Sequence, residues 1–190
     1  ISSIIMAAGS GKRMRSKIAK VLHPVAGRPM VWYMASMARR VSDGNVVVVV
    51  GHQGQQVKAF LDQEKKVLEP FMTAVQTKQL GTGHAVQQAK AHLLSKGKPV
   101  SELCIILNGD TPLLTQSTVE QLISQHRDVQ ATVTLLTTEL ESPHGYGRVV
   151  RQANGQILKV VEDKDATAEE KSNKEINVGT YVVKSSFLFK

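Results

Sequence analysis

Five consecutive valines, Val46–Val50, framed by Asn45 and Gly51, constrain this chain more than any other stretch. β-Branched side chains favour extended backbone, and a run without polar alternation has no face to give to water. Such a strand has to be covered on both sides, which is the pattern of a parallel sheet sandwiched by helices. Two other apolar runs fit beside it: Ile4-Ile5-Met6 near the start, and Leu103-Cys104-Ile105-Ile106-Leu107 beyond the middle. Between them the rhythm turns helical. Val31, Met34, Ala35, Ala38 and Val41 mark one face of a helix over residues 30–40 that Gly44 closes. Further helices are expected over residues 55–63 (Val57, Phe60, Leu61), after Gly83 (Ala85, Val86, Ala89, Leu93) and around Val119, Leu122 and Ile123. Short strands are expected over residues 73–76 and 131–137. The fold class is α/β: Rossmann-like, with a mostly parallel central sheet and helices on both faces.

From Gly145 the pattern changes. Gly145-Tyr146-Gly147-Arg148 leads to Asn154-Gly155, the strongest hairpin signal in the chain, and residues 157–161 return from it. This piece reads as an antiparallel hairpin insertion. A polar helix near residues 166–171, a strand over residues 176–183 and a helix beginning at Ser185-Ser186 complete the sequence.

With 190 residues, the expectation is one domain with a real core. The lone Cys104 sits in an apolar run and reads as a buried thiol, so no disulfide forms within the chain and a reducing, cytoplasmic setting is expected. No run approaches the roughly 18 apolar residues of a membrane span, and no signal-peptide pattern is present. The net charge of +8 raises nucleic acid as a partner. Against it, the cations are scattered, aromatics are few and no recognition motif appears; a polyanionic small substrate suits the charge equally well, and no nucleic-acid partner is expected. The six histidines show no metal-binding spacing.

The first apolar run empties into Ala7-Ala8-Gly9-Ser10-Gly11-Lys12-Arg13-Met14. Small residues let a ligand approach the backbone, whose N–H groups can cradle an anion, and Arg13 adds a planar fork suited to phosphate. It is not a Walker A loop, because Gly11-Lys12 follows Gly9 too soon and Arg13 stands where Ser or Thr is required. It is not the dinucleotide fingerprint either, since Met14 replaces the third glycine and no acidic residue lies about 20 positions on. The loop is either a phosphate site of another kind or a plain strand-to-helix turn.

Two later stretches carry the same ambiguity. Gln79-Leu80-Gly81-Thr82-Gly83-His84-Ala85 places glycines at a helix entrance, where backbone can meet a ligand or simply cap the helix. Asn108-Gly109-Asp110-Thr111-Pro112 puts a carboxylate at the C-terminal end of a buried strand, where open α/β sheets bind ligands. Asp110 either caps the turn or holds Mg²⁺, which uses one or two carboxylates together with substrate phosphates.

Taken in order, these motifs resemble the sugar-nucleotide pyrophosphorylases. They run Ala7-Ala8-Gly9-x-Gly11-x-Arg13-Met14, Lys20-Val21-Leu22, Gly27-x-Pro29-Met30, Gln79 to Ala85, Gly109-Asp110-x-Pro112-Leu113, Gly145-Tyr146-Gly147-Arg148, Val161-Glu162-x-Lys164-Asp165-Ala166-Thr167 and Glu175-Ile176-Asn177-x-Gly179. The resemblance covers nearly the whole chain. It points to the N-terminal uridylyltransferase part of the bacterial bifunctional N-acetylglucosamine-1-phosphate uridylyltransferase/glucosamine-1-phosphate acetyltransferase family. Each motif alone is weak; the ordered set is specific.

The resemblance implies the nucleotide-diphospho-sugar transferase fold and the reaction of UTP with N-acetylglucosamine 1-phosphate to give UDP-N-acetylglucosamine and pyrophosphate, feeding peptidoglycan and cell-wall synthesis. By the family pattern Arg13 and Lys20 are catalytic. Met6, Ala7, Ala8 and Gly9 meet the nucleotide, while Gln76, Gly81 and Thr82 read the uracil. Asn108, Gly109 and Asp110 line the site, Asp110 holds Mg²⁺, and Gly147, Glu162 and Asn177 bind the sugar. Three departures stand out: Lys12 in place of Thr, Ala19 in place of Pro before the lysine, and Asn108 in place of Tyr. The resemblance also implies that residues 1–190 form a nucleotidyltransferase domain cut short at its C-terminus, lacking a second metal ligand. By the same resemblance, the β-helix that carries the acetyltransferase and makes the parent a homotrimer is expected to lie outside these 190 residues. A related nucleotidyltransferase acting on another sugar phosphate is the alternative, against which residues 79–82 and 175–177 stand. A non-enzymatic sensing domain would need a damaged site, whereas Arg13, Lys20 and Asp110 are in place.

Overall fold

A computed structural model of the chain describes residues 1–9, 11, 14–94 and 101–189. These fall into two compact units, one of Ile1–Thr134 with Val182–Lys190, the other of Leu135–Tyr181.

In the first unit, β1 (Ser2–Ala7) is followed by a 3-10 turn at Lys20–Leu22 and a two-stranded ribbon, β2 (Pro24–Val25) and β3 (Arg28–Pro29). Then come α1 (Met30–Val41), β4 (Val46–Val50), α2 (Gly54–Gln63), α3 (Lys65–Leu68), β5 (Met72–Val75), α4 (Thr82–Leu93), β6 (Leu103–Asn108) and α5 (Gln116–Asp128). The four longer strands pair in parallel in the order β5-β4-β1-β6. All five valines of β4 are buried, none more than 5 % exposed, as a strand covered on both faces requires. Ile4, Ile5, Leu107 and Cys104 are also fully buried, and burial pushes the Cys104 thiol up to about 12.

The order of the strands decides where the helices and the ligand crevice lie. From β1 the chain steps to β4 and on to β5, then returns past β1 to β6. With right-handed crossovers, the outward steps put α1 and α3 on one face and the return puts α4 on the other. Consistently, α4 packs on β4, β1 and β5, while α1 packs on β1, β4 and β6 and against α3 and α5. The direction reverses between β1 and β6, so a crevice opens beyond their carboxyl ends.

Most expected elements appear within a residue or two, and the shifts have local causes. The strand expected over residues 131–137 is β7 (Val133–Glu139), because the Ala131 N–H closes α5 on His126 O at 3.1 Å. The helix α3 has no counterpart in the sequence reading. It is a single turn, too short to show periodicity, and it serves to bury Leu68.

In the second unit, β8 (Arg148–Arg151) and β9 (Ile157–Val161) form the expected antiparallel hairpin, with an irregularity at Val150/Arg151. The Asn-Gly pair acts inside a three-residue loop: Gln152 N–H donates to Gln156 O at 2.8 Å and Gly155 N–H to Gln152 O at 2.9 Å. Next come α6 (Ala168–Ser172) and β10 (Glu175–Lys184), which pairs antiparallel with β8. The last helix, α7 (Ser185–Leu188), belongs to the first unit, where the Ser185 N–H bonds Glu102 O at 2.8 Å.

The helix α6 starts later than expected because Thr167 is its cap. Thr167 Oγ1 accepts the Glu170 N–H at 3.2 Å, and Glu170 Oε2 accepts the Thr167 N–H at 2.8 Å, a reciprocal capping box. Glu170 also pairs with Lys159 of β9 at 2.6 Å. The Lys159 ammonium first, and the Thr167 backbone second, hold the Glu170 carboxyl down at about 2, against 4.5 ordinarily. A depressed carboxylate stabilises the fold above its unfolded pKa and loses that contribution as pH falls through the folded one. Amide protection of α6 is therefore expected to decline as the pH drops from about 4.5 to about 2, and Glu170→Gln to flatten that dependence. NMR hydrogen exchange measures both, and an unchanged decline in the variant refutes the assignment.

Candidate active site

The crevice beyond β1 and β6 is floored by small residues. Ala7 and Ala8 are buried, and the Gly109 N–H bonds Met6 O at 2.9 Å, drawing the end of β6 against the end of β1. A Cβ on Gly109 would stand 3.0 Å from Met6 O and 3.2 Å from Val21 Cγ1, so the close approach needs glycine. The loop after β1 comes back over the 3-10 turn: a Cβ on Gly11, which has φ +56°, would lie 2.8 Å from Lys20 Cβ. Glycine here lets the loop sit on the lysine.

Lys20 forms an ion pair with Asp110, both part-exposed at the mouth of the crevice. The turn carrying Asp110 is closed by Thr111 Oγ1–H donating to Asn108 O at 3.0 Å. On the other wall, Gln76 N–H continues β5 by bonding Val50 O at 2.8 Å, and its side chain reaches Gly81 O at 3.0 Å and His84 Nδ1 at 3.1 Å. The result is a cleft of about 340 Å³, lined by Met6, Ala8, Gly9, Lys20, Gln76, Gly81, Thr82, Asn108 and Asp110 among others. That is within the size range of small-molecule sites. Ala7 and Gly109 lie behind this lining. Arg13, expected beside it, and Lys12 fall outside the described residues.

Among the described residues, no three His, Cys, Asp or Glu side chains gather as a preformed metal cage. Asp110 alone suits a hard cation that takes one or two protein carboxylates and completes its shell with phosphates and water. The Lys20 ammonium against it shows that positive charge is accommodated at that carboxylate.

Within the second unit the structure brings Gly147 and Asn177 together: the Asn177 N–H donates to Gly147 O at 2.9 Å. Asn177 Oδ1 accepts the Gly179 N–H at 3.0 Å. Glu162 is exposed, just past Val161, which pairs with Arg148. Arg148 is 1 % exposed, donating through one nitrogen to Tyr146 O and through another to Asp163 Oδ1 at 2.9 Å. Partial burial works to raise the Asp163 carboxyl, but the Gly145 N–H and the Arg148 guanidinium outweigh it and hold it below the usual carboxylate range.

Sequence reasoning passed over Gln79 and Gln56. Gln79 Nε2–H donates to Ala8 O at 2.8 Å, tying the α4 entrance to the opening loop across the cleft. Its only signal was its place in the Gln79–Ala85 motif. Gln56 Oε1 accepts the Ala19 N–H at 3.2 Å, which bears on one of the three departures. Ala19 has φ −53°, within the range of proline, and its N–H, which proline lacks, is the group Gln56 holds. The approach to Lys20 is thus braced by a hydrogen bond in place of a ring.

No described helix is long and apolar enough to cross a membrane. An open parallel sheet with a cleft at its reversal point, small-residue backbone on one side and a lysine–carboxylate pair at its mouth, defines a nucleotide-handling α/β protein. The chain belongs to the nucleotidyl transferase family, matched over residues 2–190. It is 46 % identical over 187 residues to the bifunctional protein GlmU of Bacillus licheniformis, and 42 % identical over 189 residues to that of Geobacter sulfurreducens. These alignments cover 98 % and 100 % of this chain but 39 % and 38 % of the relatives, so the chain spans about two fifths of their length. Among solved structures, it superposes on a UDP-glucose pyrophosphorylase complexed with UDP-glucose at TM-score 0.76, with 18 % identity, covering 98 % of this chain and 77 % of that one. The HddC protein of Yersinia pseudotuberculosis complexed with GMP-PN gives 0.72 at 16 % identity, covering 100 % and 79 %. At such identities these two structures speak for the fold, which is that of the nucleotide-sugar transferases.

Proposed function

We propose that the chain catalyses uridylyl transfer from UTP to N-acetylglucosamine 1-phosphate, releasing pyrophosphate and forming UDP-N-acetylglucosamine. The observation that carries this is one cleft with Gln76 on one wall and the Lys20–Asp110 pair at its mouth. A base fits the first feature and a polyphosphate the second. The sugar phosphate oxygen attacks the α-phosphorus of UTP in line, and pyrophosphate leaves, so no protein nucleophile is required. Catalysis then rests on positioning and charge. The backbone of Met6, Ala7, Ala8 and Gly9 supports the nucleotide, Gln76, Gly81 and Thr82 face the uracil, and Lys20 and Arg13 neutralise phosphate charge. Asn108 lines the cleft, Gly109 lets the end of β6 close against β1 beneath it, and Asp110 would hold Mg²⁺. When bound, the metal screens the phosphates and withdraws charge from the leaving group. Gly147, Glu162 and Asn177 are assigned to the sugar hydroxyls and N-acetyl group.

Relatives more than twice as long and named bifunctional support placing this chain in a longer cytoplasmic enzyme of cell-wall precursor synthesis. That enzyme would carry a glucosamine-1-phosphate acetyltransferase in its remaining length and assemble as a homotrimer. The test is pyrophosphate release by the full-length protein with Mg²⁺ and N-acetylglucosamine 1-phosphate, each nucleoside triphosphate being offered in turn. UTP is expected to give the highest kcat/KM. Preference for another triphosphate, or for another sugar phosphate, overturns the assignment.

A further inference from the structure

The contacts of Gln76 leave only one arrangement of its amide. Gln76 is 5 % exposed, and one and the same atom of its amide lies 3.0 Å from Gly81 O and 3.1 Å from His84 Nδ1. A carbonyl oxygen only accepts, so the atom facing Gly81 is the amide nitrogen. Its two protons are then both engaged, one on Gly81 O and one on His84 Nδ1. An Nδ1 that accepts carries no proton, which places the proton of neutral His84 on Nε2. That Nε2–H needs an acceptor. The Gln88 amide stands 3.2 Å from it, one helical turn along α4. As it stands the Gln88 nitrogen also donates to His84 O at 3.3 Å, so turning its oxygen to the ring gives up that bond, which is longer than either bond of Gln76. The competition for the ring is resolved at Gln88, which is half-buried.

What Gln76 has left to offer is Oε1. No described residue donates to it, and it is not among the buried atoms cut off from solvent. Gln76 lines the cleft, so this oxygen is available there as an acceptor and nothing else. An acceptor locked in place pairs with a base whose ring nitrogen carries a proton, as the imide N–H of uracil does. It repels cytosine, whose ring nitrogen at the same place is itself an acceptor. A site that holds a buried polar group in one orientation discriminates strongly, because the wrong partner leaves that group unpaired.

We infer that His84 is a positioning residue for base selectivity: its unprotonated Nδ1 locks the Gln76 amide so that the cleft admits an imide base and rejects cytosine. The inference rests on the nucleotide reading of the cleft, and its test separates the two. UTP and CTP binding would be measured by calorimetry on the full-length protein, wild type and His84→Leu and His84→Asn. In the wild type, imidazole ¹⁵N–¹H correlation spectra would report the tautomer of His84. A spectrum with the proton on Nε2 is expected, together with a UTP preference that shrinks about tenfold or more in His84→Leu. His84→Asn should recover most of it, because Asn Oδ1 takes the place of Nδ1. A proton on Nδ1, or an unchanged UTP/CTP ratio in a folded His84→Leu, overturns the role of His84 while leaving the nucleotide site standing. A wild type that binds UTP no better than CTP overturns the uridine reading itself, and the inference with it. Should His84→Leu fail to fold, the tautomer alone decides.

Discussion

Asp110→Asn is expected to lower kcat for pyrophosphate release by about a hundred- to a thousandfold, the range seen when one fixed group that stabilises transition-state charge is removed. The change keeps the shape of the side chain and removes only its charge. Asp110 sits at the end of β6, and the turn around it is held by groups it does not supply: the Gly109 N–H on Met6 O and the Thr111 hydroxyl on Asn108 O. Its side chain is 26 % exposed, so asparagine there keeps access to solvent. Thermal stability should therefore stay near that of the wild type while turnover collapses. The loss should come with a weaker dependence on Mg²⁺, since a neutral amide is a poor ligand for a hard cation. Lys20, deprived of its partner, should bind phosphate no worse, so KM for UTP is expected to move little. Steady-state kinetics across a Mg²⁺ titration, with a melting curve beside it, reads all four. Near-normal turnover in a folded variant would remove Asp110 from the proposed chemistry.

The largest effect on stability is expected at Leu107→Ala, about 3 kcal/mol, from the removed apolar surface and the cavity left behind. Leu107 is fully buried and pairs with Ile5 across the β1–β6 ladder, where close packing leaves little room to relax. The substitution should lower the urea midpoint with little change in m, since the surface exposed on unfolding hardly alters. Leu113→Ala is its control: Leu113 is 84 % exposed, and its loss should fall within about half a kcal/mol. Equal effects from the two variants would contradict the placement of the sheet.

The elements that could be read early were those whose cause is local or periodic. The valines of β4 needed no partner to declare a doubly covered strand, and the apolar rhythm of α1 put Val31, Met34, Ala35 and Ala38 on the buried face where they are found. Elements without such a pattern escaped. One-turn α3 has no rhythm to detect, and the start of β7 depended on α5 consuming Ala131 first. The same division runs through the site. Asp110, Gly109 and the opening loop were visible because strand ends next to small residues are where α/β sheets bind ligands. Gln79 and Gln56 were not, since each acts through a bond to backbone far away in sequence, on Ala8 and Ala19.

The sequence by itself determined the class of fold, a parallel sheet between helices with a hairpin inserted late, because burial on both faces and turn chemistry are written in consecutive residues. It also determined which chemical groups were at hand: a cation-rich loop, one lysine, one carboxylate and a glycine-flanked helix entrance. Only the tertiary structure decided that the chain reverses between β1 and β6, and hence that Lys20 meets Asp110. That meeting depends on strand order and crossover, whereas Gln76 reaches Gly81 and His84, five and eight residues on, through the path of the β5–α4 loop; no apolar pattern encodes either. Orientation is likewise a tertiary property. Whether Gln76 shows the cleft an oxygen or a nitrogen is settled by a carbonyl and a ring nitrogen brought to it by another element.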